Sequence, residues 1–451
     1  MRVEERSDLT QGVLWKQLLW FCLPIFLQSV FQQVFGVVDA VIVGRGVGKY
    51  ALGAINSTSY MIRLFLGLFL GFCSGAAIII GQGLGAGDKE RVRRAVHTGV
   101  AFSFAGGVAA AAFCVPMTPV FLKIMRVPAD MLPYSDIYTR IIFLGFIAVF
   151  IYDMGAGFLR AAGDSQTPFY YLIVSLGLNL GLDLLFVLVF HWGVAGAAAA
   201  TALSQGVSAV LVLRRLCHGS DGLGLAFREV RFHREELGRM VKLGLPMGIN
   251  GVLYSVSNIA IQSTINALGT DVIAAWSISI RIDTVIWSLY DAFGIAASTF
   301  AAQNFGAGRF DRVRDGVKST LAVGAAVILP LCALMYAFAR PLSRLFIGEA
   351  SVIEPTVRIC RIMAPYYIFF LFGDVFAATI RGCGEAARPT AITLIGTCGF
   401  RLAWVALIHA VGSPTLLNVT AGYPASWAFN SLLMSVYYFF GRWRSRLQPE
   451  T

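Results

Sequence analysis

Charge is what this sequence has least of. Only 14% of its 451 residues are Asp, Glu, Lys or Arg, against about 25% in an ordinary soluble protein, which excludes a water-soluble enzyme of this size. Histidine is sparse as well: His97, His191, His218, His233 and His409 lie scattered near the ends of apolar segments or in loops. No paired histidines, HExxH or DDxxD-like motif is present, and no nucleophile has an obvious base, so the chain does not read as an enzyme and calls for no cofactor. Cys22, Cys73, Cys114, Cys217, Cys332, Cys360, Cys383 and Cys398 have neither metal-ligand nor disulfide spacing. Most fall inside apolar segments, as small packing residues do. Gly81-Gln82-Gly83-Leu84-Gly85 superficially resembles a phosphate cradle, but no strand precedes it and no Lys-Ser or Lys-Thr follows.

What the chain has is apolar length. Hydrophobic residues make up 57% of it. Twelve stretches, at about 16–44, 52–82, 95–115, 134–158, 168–190, 193–213, 244–268, 272–301, 319–339, 357–380, 389–410 and 420–441, are each long enough to cross a ~30 Å hydrocarbon core. The expected fold class is therefore an all-α polytopic membrane protein with the lipid bilayer as its first partner. The formal net charge of +11 does not indicate nucleic acid. With the N-terminus inside, and with Lys16 and Arg358 at the very start of their spans counted with the adjoining segments, the seven inner segments hold 24 Lys/Arg and the six outer loops seven. That asymmetry is the positive-inside rule and places both termini in the cytoplasm.

The chain also says everything twice. Gln82-Gly83-Leu84-Gly85-Ala86-Gly87 with Arg91-Val92-Arg93 returns as Gln303-Asn304-Phe305-Gly306-Ala307-Gly308 with Arg312-Val313-Arg314, 221 residues later. Arg160, Gly163, Asp164 and Pro168 return as Arg381, Gly384, Glu385 and Pro389, and Leu23-Pro24 as Leu245-Pro246. The organisation read from this is a six-helix bundle over 1–215, a cytoplasmic linker over 216–239, and a second bundle over 240–451. Six spans per half is an even number, so the halves share one orientation, related by a pseudo-two-fold axis along the membrane normal.

The duplicated Gln-x-x-Gly-Ala-Gly loops, the Arg-x-x-Gly-Asp/Glu…Pro turns and the twelve spans together resemble the multidrug and toxic compound extrusion (MATE) transporters over about residues 12–445, most of all the prokaryotic branch related to the DNA-damage-inducible efflux proteins. The resemblance implies two bundles in a V shape with rocker-switch alternating access. It also implies export of small lipophilic or cationic compounds driven by Na⁺ or H⁺, in the inner membrane; a monomer suffices. The alternative is a lipid-linked saccharide flippase of the same superfamily.

Asp39 lies deep in the first span, fifteen residues after Pro24. A charge at the bilayer centre costs at least ~2.5–3.5 kcal/mol on insertion scales and is tolerated facing a cavity or a partner. Asn179 and Asp183 share one face of the fifth span, and Thr201 adds a hydroxyl from the sixth. These are hard oxygen ligands, suited to a small cation or to a proton shared between carboxylates. On chemistry alone, hydrogen bonding between helices accounts for them equally well. The resemblance implies the first reading, a coupling site for Na⁺ or H⁺ at Asp39, Asn179, Asp183 and Thr201, with span 1 bending at Pro24. The second half departs from its twin: Ile261 and Trp404 stand where the first half has Asp39 and Asp183, and Tyr254 where some family members have glutamate. Asp374, with Tyr254, Asp283 and Arg281, makes a candidate second coupling or substrate-contact group. Asp153, Arg63 and Arg401 are further charges within spans, read as members of structural pairs or, for some of them, as substrate contacts, and Trp276, Trp287, Tyr290, Tyr366 and Tyr367 are candidates for an aromatic cavity lining.

Overall fold

The computed structural model describes residues 8–219 and 222–447. Among the described residues twelve long helical segments follow the twelve apolar stretches in order: α1 Leu14–Gly46, α2 Lys49–Gly85, α3 Lys89–Ile124, α4 Leu132–Ala161, α5 Gln166–Val189, α6 Gly193–His218, α7 Arg234–Asn266, α8 Thr270–Gly306, α9 Phe310–Ala337, α10 Ala350–Gly382, α11 Ala387–Val411 and α12 Leu416–Phe440. Ten of them are apolar enough throughout to count as membrane spans by composition. The other two, α7 and α12, are diluted by polar residues such as Ser257, Asn258, Gln262, Ser426 and Asn430.

The repeated loops fold alike because the same glycines permit the same turns. Gly87 and Gly308 have φ of 71° and 68°, and Gly163 and Gly384 both 88°, a region that penalises any side chain. At each, the amide one residue on bonds back to the last helical turn: Asp88 to the carbonyl of Gly83 at 2.9 Å, Arg309 to that of Asn304 at 2.8 Å. This closes the helix by the Schellman pattern. Asp164 then caps the start of α5, accepting from the Thr167 amide at 2.9 Å.

The helices divide into two compact units. The first contains Leu27–Gly248; the second contains Leu9–Phe26 and everything from Ile249 onward. Each leading helix is thus divided two residues after its proline, α1 after Phe26 and α7 after Gly248. In the first unit the opening half of α7 packs on α2 through glycines. A Cβ on Gly75 would lie 2.8 Å from the backbone nitrogen of Gly244, and one on Gly248 2.6 Å from the carbonyl oxygen of Leu68. Such close backbone approach is the small-xxx-small packing of membrane helices. In the second unit the opening half of α1 buries Leu18, Phe21, Cys22 and Ile25 in the core, with the Cys22 Sγ 3.7 Å from the carbonyl oxygen of Ala292 on α8.

The linker before α7 docks on the start of α3. Arg93 Nε donates to Glu229 at 2.8 Å, His97 Nε2 accepts from the Ala226 amide at 3.1 Å, and the His233 amide donates to Thr98 Oγ1 at 3.1 Å.

Candidate functional site

Within the first unit, α5 is regular through Asp183 and then widens into a π-helical turn over Leu184–Val189. Such turns are uncommon and concentrate at functional positions. This one follows directly on the acid. Asp183 is 1% exposed, and its carboxyl lies within hydrogen-bonding reach of that of Asp39 on α1. Both oxygens of Asp183 and Oδ1 of Asp39 lack any hydrogen-bond donor. Around them Ile42, Val43, Val187 and Val194 form an apolar cluster with Tyr138 packed against it. Asn179, one turn before Asp183, donates from Nδ2 to Thr201 Oγ1 at 3.5 Å, and Thr201 donates on to the Ala197 carbonyl at 3.1 Å.

Two adjacent carboxylates in an apolar setting cannot both stay ionised without a large electrostatic cost. A proton between them or a small cation beside them removes it, and three acceptor oxygens without donors fit either. Among the described residues no three His, Cys, Asp or Glu side chains cluster as a metal site, so a Na⁺ here would draw its remaining ligands from amide, hydroxyl or backbone oxygens. Tyr138 on α4 packs against this cluster, close enough to feel the charge of both acids. It is the one neighbour for which the sequence carries no signal, since aromatics are frequent throughout.

Among the described residues no hydrogen bond or ion pair joins the four residues of the candidate second group to one another. Asp374 pairs with Arg381 on its own helix, 3.7 Å away, with Gly294 leaving room for its carboxylate. The twin acid and arginine of the first half, Asp153 and Arg160, also interact. Spacing of seven residues, two helical turns, could have revealed both pairs. Asp283 is buried elsewhere, accepting from Tyr367 at 2.7 Å and from the Trp287 indole at 3.2 Å. Trp287, Tyr290, Tyr367, Phe370 and Trp427 pack there ring against ring. Trp276 joins them through Tyr423, which packs on Trp427, and Tyr366 and Arg281 are exposed. Tyr254 lies under Arg401, its ring centroid 5.1 Å from the guanidinium carbon.

A family model described as MatE matches the chain twice, over residues 24–185 and 246–406, each match opening on the proline of a leading helix. The chain is similar to the probable multidrug resistance protein YoeA of Bacillus subtilis (strain 168), 32% identical over 438 residues that cover 94% of either chain. Among solved structures it matches one described as the outward-facing conformation of a multidrug resistance MATE family transporter of the MOP superfamily, with a TM-score of 0.89 at 21% identity over 99% of both chains. It also matches one described as MATE in the bent conformation, with a TM-score of 0.88 at 21% identity over 98% of both.

Proposed function

The chain belongs to the MatE family, and from that membership we propose that it exports small lipophilic or cationic organic compounds in exchange for Na⁺ or H⁺. It is a multi-pass membrane transporter and not an enzyme. The finer reading is a monomeric antiporter of the cytoplasmic membrane, both termini inside, nearest to the branch of the DNA-damage-inducible efflux proteins and working by alternating access.

One observation carries the coupling assignment: the carboxyl groups of Asp39 and Asp183 face each other in an apolar cluster with three oxygens lacking donors. In the proposed cycle Na⁺ or H⁺ enters from outside and neutralises the pair. Asn179 and Thr201 hold the neighbouring turn in place, and α1 bends at Pro24, whose missing N–H weakens the helix there. Neutralisation then favours release of the compound.

The test is thermal unfolding in detergent against Na⁺ at fixed ionic strength and at several pH values. A ligand that binds only the folded state adds about 2.7 kcal/mol at a hundredfold excess over its Kd, a shift of several degrees. We expect a Na⁺-specific or a pH-dependent rise that both Asp39→Asn and Asp183→Asn abolish. A response that survives both substitutions, or no response to either cation, refutes the site. Replacing Pro24 with Ala should leave that binding response intact while slowing transport about tenfold or more, read in proteoliposomes.

A further inference from the structure

Arg401 is the least expected charge in the second unit. It lies in α11, 1% exposed, and no ion pair joins it to a carboxylate among the described residues. No Asp or Glu occurs anywhere in 243–266, 389–411 or 416–440, and Arg401 is the one Lys or Arg in those three stretches. Asp283, the buried acid of α8, is engaged by Tyr367 and Trp287 instead. Neutral groups surround the guanidinium. Nε donates to Ser426 Oγ on α12 and Nη1 to Asn258 Oδ1 on α7, both at 3.0 Å. Its carbon sits 4.1 Å from the ring centroid of Tyr423 and 5.1 Å from that of Tyr254. Nη2 is buried with no acceptor at all.

A buried guanidinium normally has a carboxylate partner, because the cost of removing its charge from water is otherwise unpaid. Two aromatic faces and two neutral oxygens return part of that cost; an anion would return the rest. Three further features mark the place. α7 and α12 are the two long helices too polar to count as spans by composition, and they supply the four side chains around Arg401. α11 is π-helical over Leu394–Gly399, directly before Phe400 and Arg401, as α5 is directly after Asp183. And α7, α11 and α12 are the sequence twins of α1, α5 and α6, which hold the two carboxylates and Thr201. Deep in these helices stand two acids in one half and a lone cation in the other.

We propose that Arg401, with Asn258, Ser426 and the rings of Tyr254 and Tyr423, forms a site for one singly charged anionic group, either a halide ion or the carboxylate of a transported solute. Three of the five N–H donors remain, both on Nη2 and one on Nη1, so the ligand presents one compact acceptor group at that end of the guanidinium, a halide or a carboxylate. A lone positive charge matches a monoanion rather than a phosphate dianion. Tyr254, Asn258 and Tyr423 are each partly exposed, so the ligand reaches Nη2 by displacing these side chains and not the backbone. The site stands independently of cation coupling at Asp39 and Asp183.

The test holds Na⁺ and pH constant and replaces chloride by sulfate, a dianion, during thermal unfolding. The wild type should show a saturable chloride-dependent rise of a few degrees, absent in Arg401→Gln. Asn258→Asp places a carboxylate beside Nη1. It should raise the melting temperature in sulfate and remove the chloride dependence, which keeps the test open if Arg401→Gln fails to fold. Binding of rhodamine 110, which has a free aryl carboxylate, and of rhodamine 123, its methyl ester, separates the two sources. Preference of about tenfold or more for the acid, lost in Arg401→Gln and weakened by chloride, identifies a solute carboxylate; chloride stabilisation without that preference identifies a free halide. No chloride-dependent rise over sulfate together with equal binding of the two dyes overturns the proposal.

Discussion

On the cytoplasmic linker, His233 takes its tautomer from its neighbours. Arg231 Nε donates to its Nε2 at 3.3 Å, which leaves the ring proton on Nδ1 facing Thr98 Oγ1 at 3.1 Å. Protonation would break the Arg231 bond. Burial against α3, and then the charges of Arg231, His97 and Arg94, hold His233 below its ordinary value of 6.5, with Glu90 opposing. The unfolded chain therefore takes up this proton first as pH falls, and the stabilisation present above 6.5 is lost below it. Melting temperature should drop by about one or two degrees on acidification from about pH 7.5 to 5.5, and His233→Asn, which keeps the donor to Thr98, should flatten that slope. Glu229, held below its usual value by Arg93, yields its share only at still lower pH. At this scale the sequence was readable where a charge interrupts an apolar run: Asp39 and Asp183 stand out, and Asn179 follows from its four-residue spacing. Arg401 stands out equally, but sequence alone suggests half of a pair before it suggests a binding group. Its real partners, Asn258, Tyr254, Ser426 and Tyr423, lie on two other helices, and no local spacing joins Asn258 to a residue 143 positions away.

Among the elements, α2 and the opening half of α7 meet through glycine on both sides. A Cβ on Gly71 would overlap the backbone nitrogen of Gly248, whereas one on Gly67, a turn earlier, meets nothing. Gly71→Ala should destabilise the protein by about 1–3 kcal/mol, the usual cost of overfilling a packed contact. Gly67→Ala should be neutral or mildly stabilising, since alanine favours a helix over glycine by about 1 kcal/mol. Unfolding midpoints of the two variants in one detergent compare them directly, and equal midpoints would contradict the packing described. Helix number, order and the duplicated turns were legible because each rests on a local rule: apolar length, glycine at positive φ, proline in a first turn. The π-helical turns in α5 and α11 were not, because widening a helix by one residue leaves its hydrophobic pattern nearly unchanged.

Over the whole molecule the defining feature is the exchange of leading segments. Residues 9–26 belong to the unit built mainly from the second half, and residues 234–248 to the unit built from the first. Neither exchange is visible in sequence, since the repeat aligns whole helices and gives no sign that each is divided after its proline. A chain ended at Gly248 should therefore resist protease longer across α2–α4 than one ended at Gly219, although both contain all six helices of the first repeat; equal digestion rates would show that the segment 234–248 adds no support. The order of synthesis turns this into a timetable. The first helix to leave the ribosome waits, half unpartnered, until α8 has been made, and the first bundle stays open along α2 until the chain has passed the linker. Neither unit can be finished by its own half of the message, so the two ripen together, and a ribosome that stalls at the linker leaves two unfinished surfaces for the quality-control proteases of the membrane to find.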